Sequence, residues 1–208
     1  MGFNCGKSLS FILLFKDMID ISFIVVTYNP SIDKVKKTLS SILKQKHIEY
    51  EIIISDDGSK EFPVKDIVEF FEKYNFKDYQ ILLSQNNEGT VKNYLKGLEK
   101  AKAEYVKGIS PGDCLFDEEI IANWLMAIKE KNVIYSYGNA VYYENNSENI
   151  EVVRRDKTPY YSGILDSKMH NLIKIDYLLL KDQILGASLI TEKETTVKYI
   201  KKIENKIS

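Results

Sequence analysis

Between Ile21 and Tyr137, short β-branched runs alternate with stretches of helical period, and no other feature of the chain restricts its fold as strongly. This is the pattern of βαβ units around a mainly parallel sheet, because parallel neighbours need a crossover of a dozen or more residues and a helix supplies it. Strands are expected at Ile21 to Tyr28, Tyr50 to Ser55, Tyr79 to Leu83, Tyr105 to Ile109 and Val133 to Tyr137. The first helix is expected over Ile32 to Gln45, with Ser31 as N-cap and Ile32, Val35, Leu39, Ile42 and Leu43 at helical spacing. Ile67, Val68, Phe70 and Phe71 mark a second helix. A third runs from Thr90 to Lys102 with Val91, Tyr94, Leu95, Leu98 and Ala101 inward. A fourth begins at Asp117 and buries Ile120, Ile121, Trp124, Leu125 and Ile128.

Beyond Gly138 the pattern changes. Residues 140–155 read as a hairpin, Thr158 to Leu180 is mixed, and a last strand, Ala187 to Thr191, precedes a basic helix, Lys193 to Lys206. No internal repeat appears, which removes solenoids. The 208 residues favour one domain with a modest elaboration. The division expected is an N-terminal extension over residues 1–17, an α/β core over 18–143 and a smaller, irregular C-terminal region over 144–208.

Composition narrows the function. With 44% hydrophobic and 28% charged residues the chain is an ordinary globular sequence rather than a disordered one. A net charge of −1 argues against a partner bound by bulk phosphate neutralisation, so nucleic acid is set aside. Cys5 and Cys114 supply neither a disulfide framework nor a zinc-ligand set, and fit a reduced, cytoplasmic protein. The apolar run Phe11 to Phe15 is far short of the roughly 20 residues that cross a bilayer, and no small-residue cleavage site follows it.

Four polar segments fall where strands end. Thr27, Tyr28 and Asn29 follow the first strand, Asp56 to Ser59 the second, Asn86 to Gly89 the third, and Ser110 to Asp113 the fourth. Each is an ordinary turn by itself. Together they line the edge of an open α/β sheet where ligands collect. No G-x-G-x-x-G follows the first strand, and Met1 stands where a P-loop ending at Gly6-Lys7 needs its upstream glycine, so dehydrogenase and P-loop readings fall away. A receiver domain would use Asp56 and Asp57 as an acidic pair and leave the other three segments without a role.

The order and spacing of VVTYNP, IIISDDGS, QNNEGTVKNYLKGLEKAKAEYVKGISPGD and, more weakly, YSYGNAVYYENN and GASLITEKE resemble the N-terminal half of the family 2 glycosyltransferases, bacterial sugar transferases of the GT-A, Rossmann-like fold. The resemblance runs from about Met18 to Tyr143. It implies that Thr27, Tyr28, Asn29, Asp56 and Asp57 line a nucleotide pocket. It further implies that Asn87, Gly89, Lys92 and Asn93 lie over the nucleotide and diphosphate, and that Asp113 binds Mg²⁺ or Mn²⁺ bridging the phosphates. Ser110, Pro111 and Gly112 depart from the acidic residues often found beside that aspartate.

The implied reaction is a single inverting displacement. An acceptor hydroxyl attacks the anomeric carbon of a nucleoside diphosphate sugar, expected to be a UDP-sugar, in bacterial surface polysaccharide or glycoconjugate synthesis. The family's base lies beyond the helix that follows GASLITEKE, and the chain reaches Ser208 first. The catalytic base is therefore expected to be missing, through truncation, loss of activity or supply by a partner, with Glu192, Glu194 and Glu204 read as solvent-facing charges and His170 as structural. The alternative from a different class is a donor-binding module without turnover. A nucleotidyltransferase would need a glycine-rich loop where TYNP stands. The expected partners are the donor and a glycan or glycolipid acceptor, in the cytoplasm or at the inner face of the membrane, where the basic last helix or the apolar N-terminal stretch would make a peripheral contact, although a basic solvent-facing helix is the commoner explanation of the former.

Overall fold

The structure is a computed structural model and describes residues 18–146, 149–154, 171 and 186–207. The expected extension over 1–17, His170 and almost all of the mixed stretch from Thr158 to Leu180 lie outside the described residues. The elements, in chain order, are β1 (Ile21–Thr27), α1 (Ile32–Leu43), β2 (Tyr50–Asp56), α2 (Val64–Lys73), β3 (Tyr79–Leu83), α3 (Thr90–Lys100), β4 (Tyr105–Ile109), α4 (Ile120–Lys131), β5 (Tyr135–Tyr137), β6 (Tyr142–Asn146), β7 (Asn149–Arg154), β8 (Leu189–Glu192) and α5 (Lys193–Ile207). They fall into two compact units: the described residues up to Ile134 together with those from Thr191 on, and Tyr135–Ile190. By contact, α5 therefore goes with the first unit.

In the first unit the sheet order is β3-β2-β1-β4-β8. β1 pairs in parallel with β2 from Ile21↔Tyr50 to Thr27↔Asp56, and with β4 from Ile21↔Tyr105 to Val25↔Ile109. β2 pairs in parallel with β3, and Thr191 and Glu192 of β8 run antiparallel against Val106 and Tyr105. The chain thus lays β1, β2 and β3 outward in one direction and then returns through α3 to place β4 on the far side of β1. That reversal of strand order opens a crevice at the carboxyl ends of β1 and β4. Among the described residues no helix is long and apolar enough to cross a membrane.

Burial follows strand alternation. Ile24, Ile53 and Val106 point to one face and pack with Leu98 and Ala101 of the α3 region, where Val197 and Ile200 of α5 close over them. On the opposite face Phe23 meets Tyr50 edge-on, Tyr50 stacks on Phe76, and Phe71 lies against both Phe76 and Tyr79. Burial in that row pushes the Tyr50 phenol up to about 12. Each fully buried Ile, Leu or Phe contributes about 1.5–3 kcal/mol, so β1, with Ile21, Phe23, Ile24 and Val25 all at 0% exposure, is the spine of the unit. At the amino end of the sheet, buried Glu51 accepts from Ser22 Oγ (2.8 Å) and the Lys102 amide (2.6 Å), and Ser22 in turn accepts from the Ala103 amide (3.1 Å).

Where helix limits differ from expectation, a long-range bond has outcompeted the helix ladder. α3 stops at Lys100 rather than Lys102 because the Lys102 amide turns to the Glu51 carboxylate. α4 starts at Ile120 rather than Asp117, since the Asp117 and Glu118 carbonyls are taken by Gln45 Nε2 (2.6 Å) and the Lys46 amide (2.8 Å). β5 begins two residues late because Asn132, at φ 49°, caps α4 and the Val133 amide still bonds Ile128 O. Ser31 occupies the N-cap of α1, but its side chain makes no capping bond. Val91 is 47% exposed instead of inward; it lies in the first turn of α3, and buried Asn93, Leu95, Gly97 and Leu98 form the packed face.

In the second unit, β6 and β7 form the antiparallel hairpin expected from the sequence, with an irregularity between Tyr142 and Tyr143. A short 3₁₀ turn, Gly186–Ser188, leads into β8, and Ser188 O accepts from the Gly138 amide (2.8 Å).

Gly97 gives a prediction with an inverted sign. Alanine normally stabilises a helix interior relative to glycine by about 1 kcal/mol. Here a Cβ would fall onto Cγ2 of Ile24, a buried and stiff β-branched side chain. Gly97→Ala is expected to destabilise the protein by about 1–3 kcal/mol, read as a lower urea midpoint at constant m-value.

Candidate functional site

Three parallel strands deliver their last residues to one edge. Thr27 ends β1 directly opposite Asp56, the last residue of β2, and β4 ends beside β1. With neighbouring strands about 4.8 Å apart, the ends of β2 and β4 stand about 10 Å from each other across β1. Asp57 follows β2 by one residue and Asp113 follows β4 by four.

Thr27 and Asp56 are held in a buried knot. Thr27 Oγ1 donates to Asp56 Oδ1 (3.0 Å), Ser59 donates its amide to Oδ2 (2.7 Å) and its hydroxyl to Oδ1 (2.6 Å). Asn93, at 1% exposure, gives its amide protons to Thr27 O (3.2 Å) and Ser55 O (2.9 Å), and its Oδ1 accepts from Ser55 Oγ (2.6 Å). The side chain expected over the nucleotide is thus a latch that ties α3 to the ends of β1 and β2. It is turned inward because those two carbonyls need donors.

Asp57 is equally committed. Its two oxygens accept from the Glu88 and Gly89 amides, both at 2.9 Å, so the carboxylate fastens the loop after β3 to the end of β2. Gly58 permits this closeness: at φ 77° it takes a left-handed turn, and a Cβ there would lie 2.5 Å from the Asn86 carbonyl carbon. Gly89, at φ 92°, has nothing within 4 Å of where a Cβ would stand, and its amide also meets Asn87 Oδ1 (3.0 Å).

The exposed members are Tyr28, Asn29, Asn87 and Lys92. Asn29 sits at φ 43°, a region asparagine tolerates, with its amide on Ser59 Oγ (2.6 Å) and its Oδ1 on the Lys60 amide (3.3 Å). Tyr28 leaves 53% of its surface free beside it.

On the other side of the crevice, Ser110 to Asp113 form a tight turn closed by the Asp113 amide on Ser110 O (3.0 Å), with Gly112 at φ 104°. Partial burial pushes the Asp113 carboxyl up, while a Ser110 backbone hydrogen bond and the charge of Lys107 pull it back. Lys107 escaped the sequence reading. It is 2% exposed on β4 with its ammonium 5.2 Å from the centre of the Trp124 ring, and burial lowers it to about 8. A lysine inside the strand YVKGI was the available signal.

Among the described residues no three His, Cys, Asp or Glu side chains gather as a metal cage. Asp113 at the crevice still fits a hard divalent cation of the kind that takes one or two carboxylates and draws its other oxygens from substrate phosphates. Neighbouring Cys114 directs its sulfur toward the Lys37 and Gly112 carbonyls.

A mainly parallel sheet flanked by helices, with its polar loops gathered at a strand-order reversal, is the architecture of the GT-A glycosyltransferases, and solved GT-A enzymes superpose on it. The chain belongs to glycosyltransferase family 2, whose signature it matches over residues 22–183. It is 34% identical over 99 residues to the poly-beta-1,6-N-acetyl-D-glucosamine synthase of Staphylococcus epidermidis, a match covering 48% of this chain and 23% of that one. It is 26% identical over 178 residues to the putative teichuronic acid biosynthesis glycosyltransferase TuaG of Bacillus subtilis, covering 85% of this chain and 63% of that one. S. aureus TarS 1-349 in complex with UDP superposes with a TM-score of 0.50 at 25% identity, covering 56% of this chain and 34% of that structure. The chain thus spans less than two thirds of the length of these relatives.

Asp57→Ala is expected to release the loop after β3, because two amides lose a charged acceptor at a cost of about 1–3 kcal/mol. Hydrogen exchange at Glu88 and Gly89 should accelerate well beyond that of β1 amides. Unchanged protection there would show that Asp57 is not the fastening.

Proposed function

We propose that this chain binds a nucleoside diphosphate sugar, a UDP-sugar, at the carboxyl edge of its sheet and transfers the sugar, with inversion, to a hydroxyl of a glycan or glycolipid acceptor. The biological setting proposed is bacterial surface polysaccharide or glycoconjugate synthesis, on the cytoplasmic side. The observation that carries this reading is the gathering of four polar loops at one sheet edge, on both sides of the strand-order reversal. The UDP in the TarS neighbour and the polysaccharide named for the synthase relative support the donor and acceptor classes.

The donor residues divide by exposure. Tyr28, Asn29, Asn87 and Lys92 face solvent and are assigned direct contact: the Tyr28 ring for the base, the Asn side chains for hydroxyls, and the Lys92 ammonium for the diphosphate. Gly89 supplies open backbone over which the phosphates can come close. Thr27, Asp56, Asp57 and Asn93, all at or below 3% exposure, are assigned to holding those groups in place. Asp113 is assigned the Mg²⁺ or Mn²⁺ of the diphosphate, whose chemistry is to stabilise negative charge on the departing nucleoside diphosphate.

In the displacement, the acceptor oxygen bonds the anomeric carbon as the carbon–oxygen bond to the diphosphate breaks, and the acceptor proton passes to a base. Attack opposite the leaving group inverts that carbon. The exposed basic surface of α5, with Lys198 and Lys202, is the part assigned to peripheral contact with anionic lipid.

Calorimetric titration with UDP, with and without Mn²⁺, tests the assignment. The parent protein should bind UDP more tightly with the metal. Asp113→Ala should abolish that difference while leaving the unfolding free energy from urea titration within about 0.5 kcal/mol of the parent, as for a surface substitution. Equal affinity in the parent with and without metal would defeat the role given to Asp113.

A further inference from the structure

α1 carries a polar stripe on a helix whose other inward residues are Val35, Leu39 and Ile42. Thr38 and Ser41, three residues apart on α1, share one face, and Gln45 follows two residues past the end of the helix. Thr38 is fully buried and Gln45 is 8% exposed, positions where an apolar side chain would normally pack. A buried hydroxyl or amide costs free energy unless it is bonded, so the stripe needs a physical reason.

That reason is the main chain between Ser110 and Ile121, which lacks a helix or strand of its own until α4 begins. The Thr38 hydroxyl accepts from the Gly112 amide (2.9 Å) and donates to Asp113 O (2.8 Å), with Ser110 O at 3.3 Å. Ser41 Oγ accepts from the Leu115 amide (3.1 Å). Gln45 donates to Asp117 O (2.6 Å) and accepts from the Ile121 amide (3.3 Å). The three side chains thus run down the segment in order, from the turn holding Asp113 to the first turn of α4.

We infer that Thr38, with Ser41 and Gln45 behind it, is a positioning residue that sets the aim of the Asp113 carboxylate. Asp113 is held on both sides of its Cα, its amide by Ser110 O and its carbonyl by Thr38. Gly112 before it is at φ 104°, so its amide points where the Thr38 oxygen receives it. Among the described residues no cage of three ligating side chains surrounds Asp113, so a cation held there would depend closely on the aim of this carboxylate. Lost outer contacts of this kind weaken metal binding by about 10–100-fold in other proteins. The inference rests on the reading of Asp113 as the group that meets the donor's metal.

The test uses the full chain, Mn²⁺ and UDP. Thr38→Val keeps the shape and removes the hydroxyl; it should weaken Mn²⁺-dependent UDP binding about tenfold or more and leave metal-free UDP binding unchanged. Thr38→Ser should restore Mn²⁺-dependent binding. Ser22→Ala, which removes a buried hydroxyl at the opposite end of the sheet, should lower the urea midpoint without changing Mn²⁺-dependent binding. If Thr38→Val fails to fold, Ser41→Ala removes a half-buried hydroxyl only and should weaken Mn²⁺-dependent binding by about threefold or more. A folded Thr38→Val or Ser41→Ala protein that binds Mn²⁺ and UDP like the parent, while Asp113→Ala does not, overturns the inference alone. An Asp113→Ala protein with parental metal dependence overturns the reading of Asp113 and this inference with it.

Discussion

The buried polar knot where β1 and β2 end decides where the loops after β1, β2 and β3 can go. Thr27, Ser55, Asp56, Ser59 and Asn93 exchange hydrogen bonds there at the rim of a largely apolar core. In a low-dielectric rim such groups are costly singly and specific together, so the knot admits one arrangement. α3 is pinned by Asn93, the turn after β2 by Ser59, and Asn29 by the same serine. Asp57 extends the knot to the loop after β3. Tyr28, Asn29, Asn87 and Lys92 project from a frame that is already closed.

The two ends of the sheet divide the work. At the amino end, Glu51 ties β1 and β2 to the turn before β4 through Ser22 and the Lys102 and Ala103 amides. At the carboxyl end, similar chemistry leaves backbone and side chains available around a crevice. The chain's path explains the difference: parallel strands put all their carboxyl ends together, and the reversal around β1 keeps the loops after β1 and β4 from covering one another. α1 serves both purposes, with Val35, Leu39 and Ile42 in the core and Thr38 and Ser41, joined by Gln45 just past the helix end, holding the segment that bears Asp113.

Much of this fold was legible. β3 and β4 begin and end where the runs YQILL and YVKGI do, because a buried strand between turn residues leaves little freedom. Helix ends were less legible, since Lys102 and Asp117 chose partners 51 and 72 residues away. Among the site residues, their gathering at strand ends could be read from the text, but their orientation could not. Asn93 and Lys92 are adjacent on one helix, and only packing turned the first inward and the second to solvent.

By itself, the sequence determined the order of elements, the parallel sheet and the edge on which the polar loops emerge, since hydrophobic period and turn chemistry are local properties carried by neighbouring residues. Tertiary structure alone decided which carboxylates and amides are consumed in holding the frame and which remain open. A hydrogen bond such as Asp57 to Gly89 or Thr38 to Asp113 joins groups 32 or 75 residues apart and exists only once the sheet has brought them together.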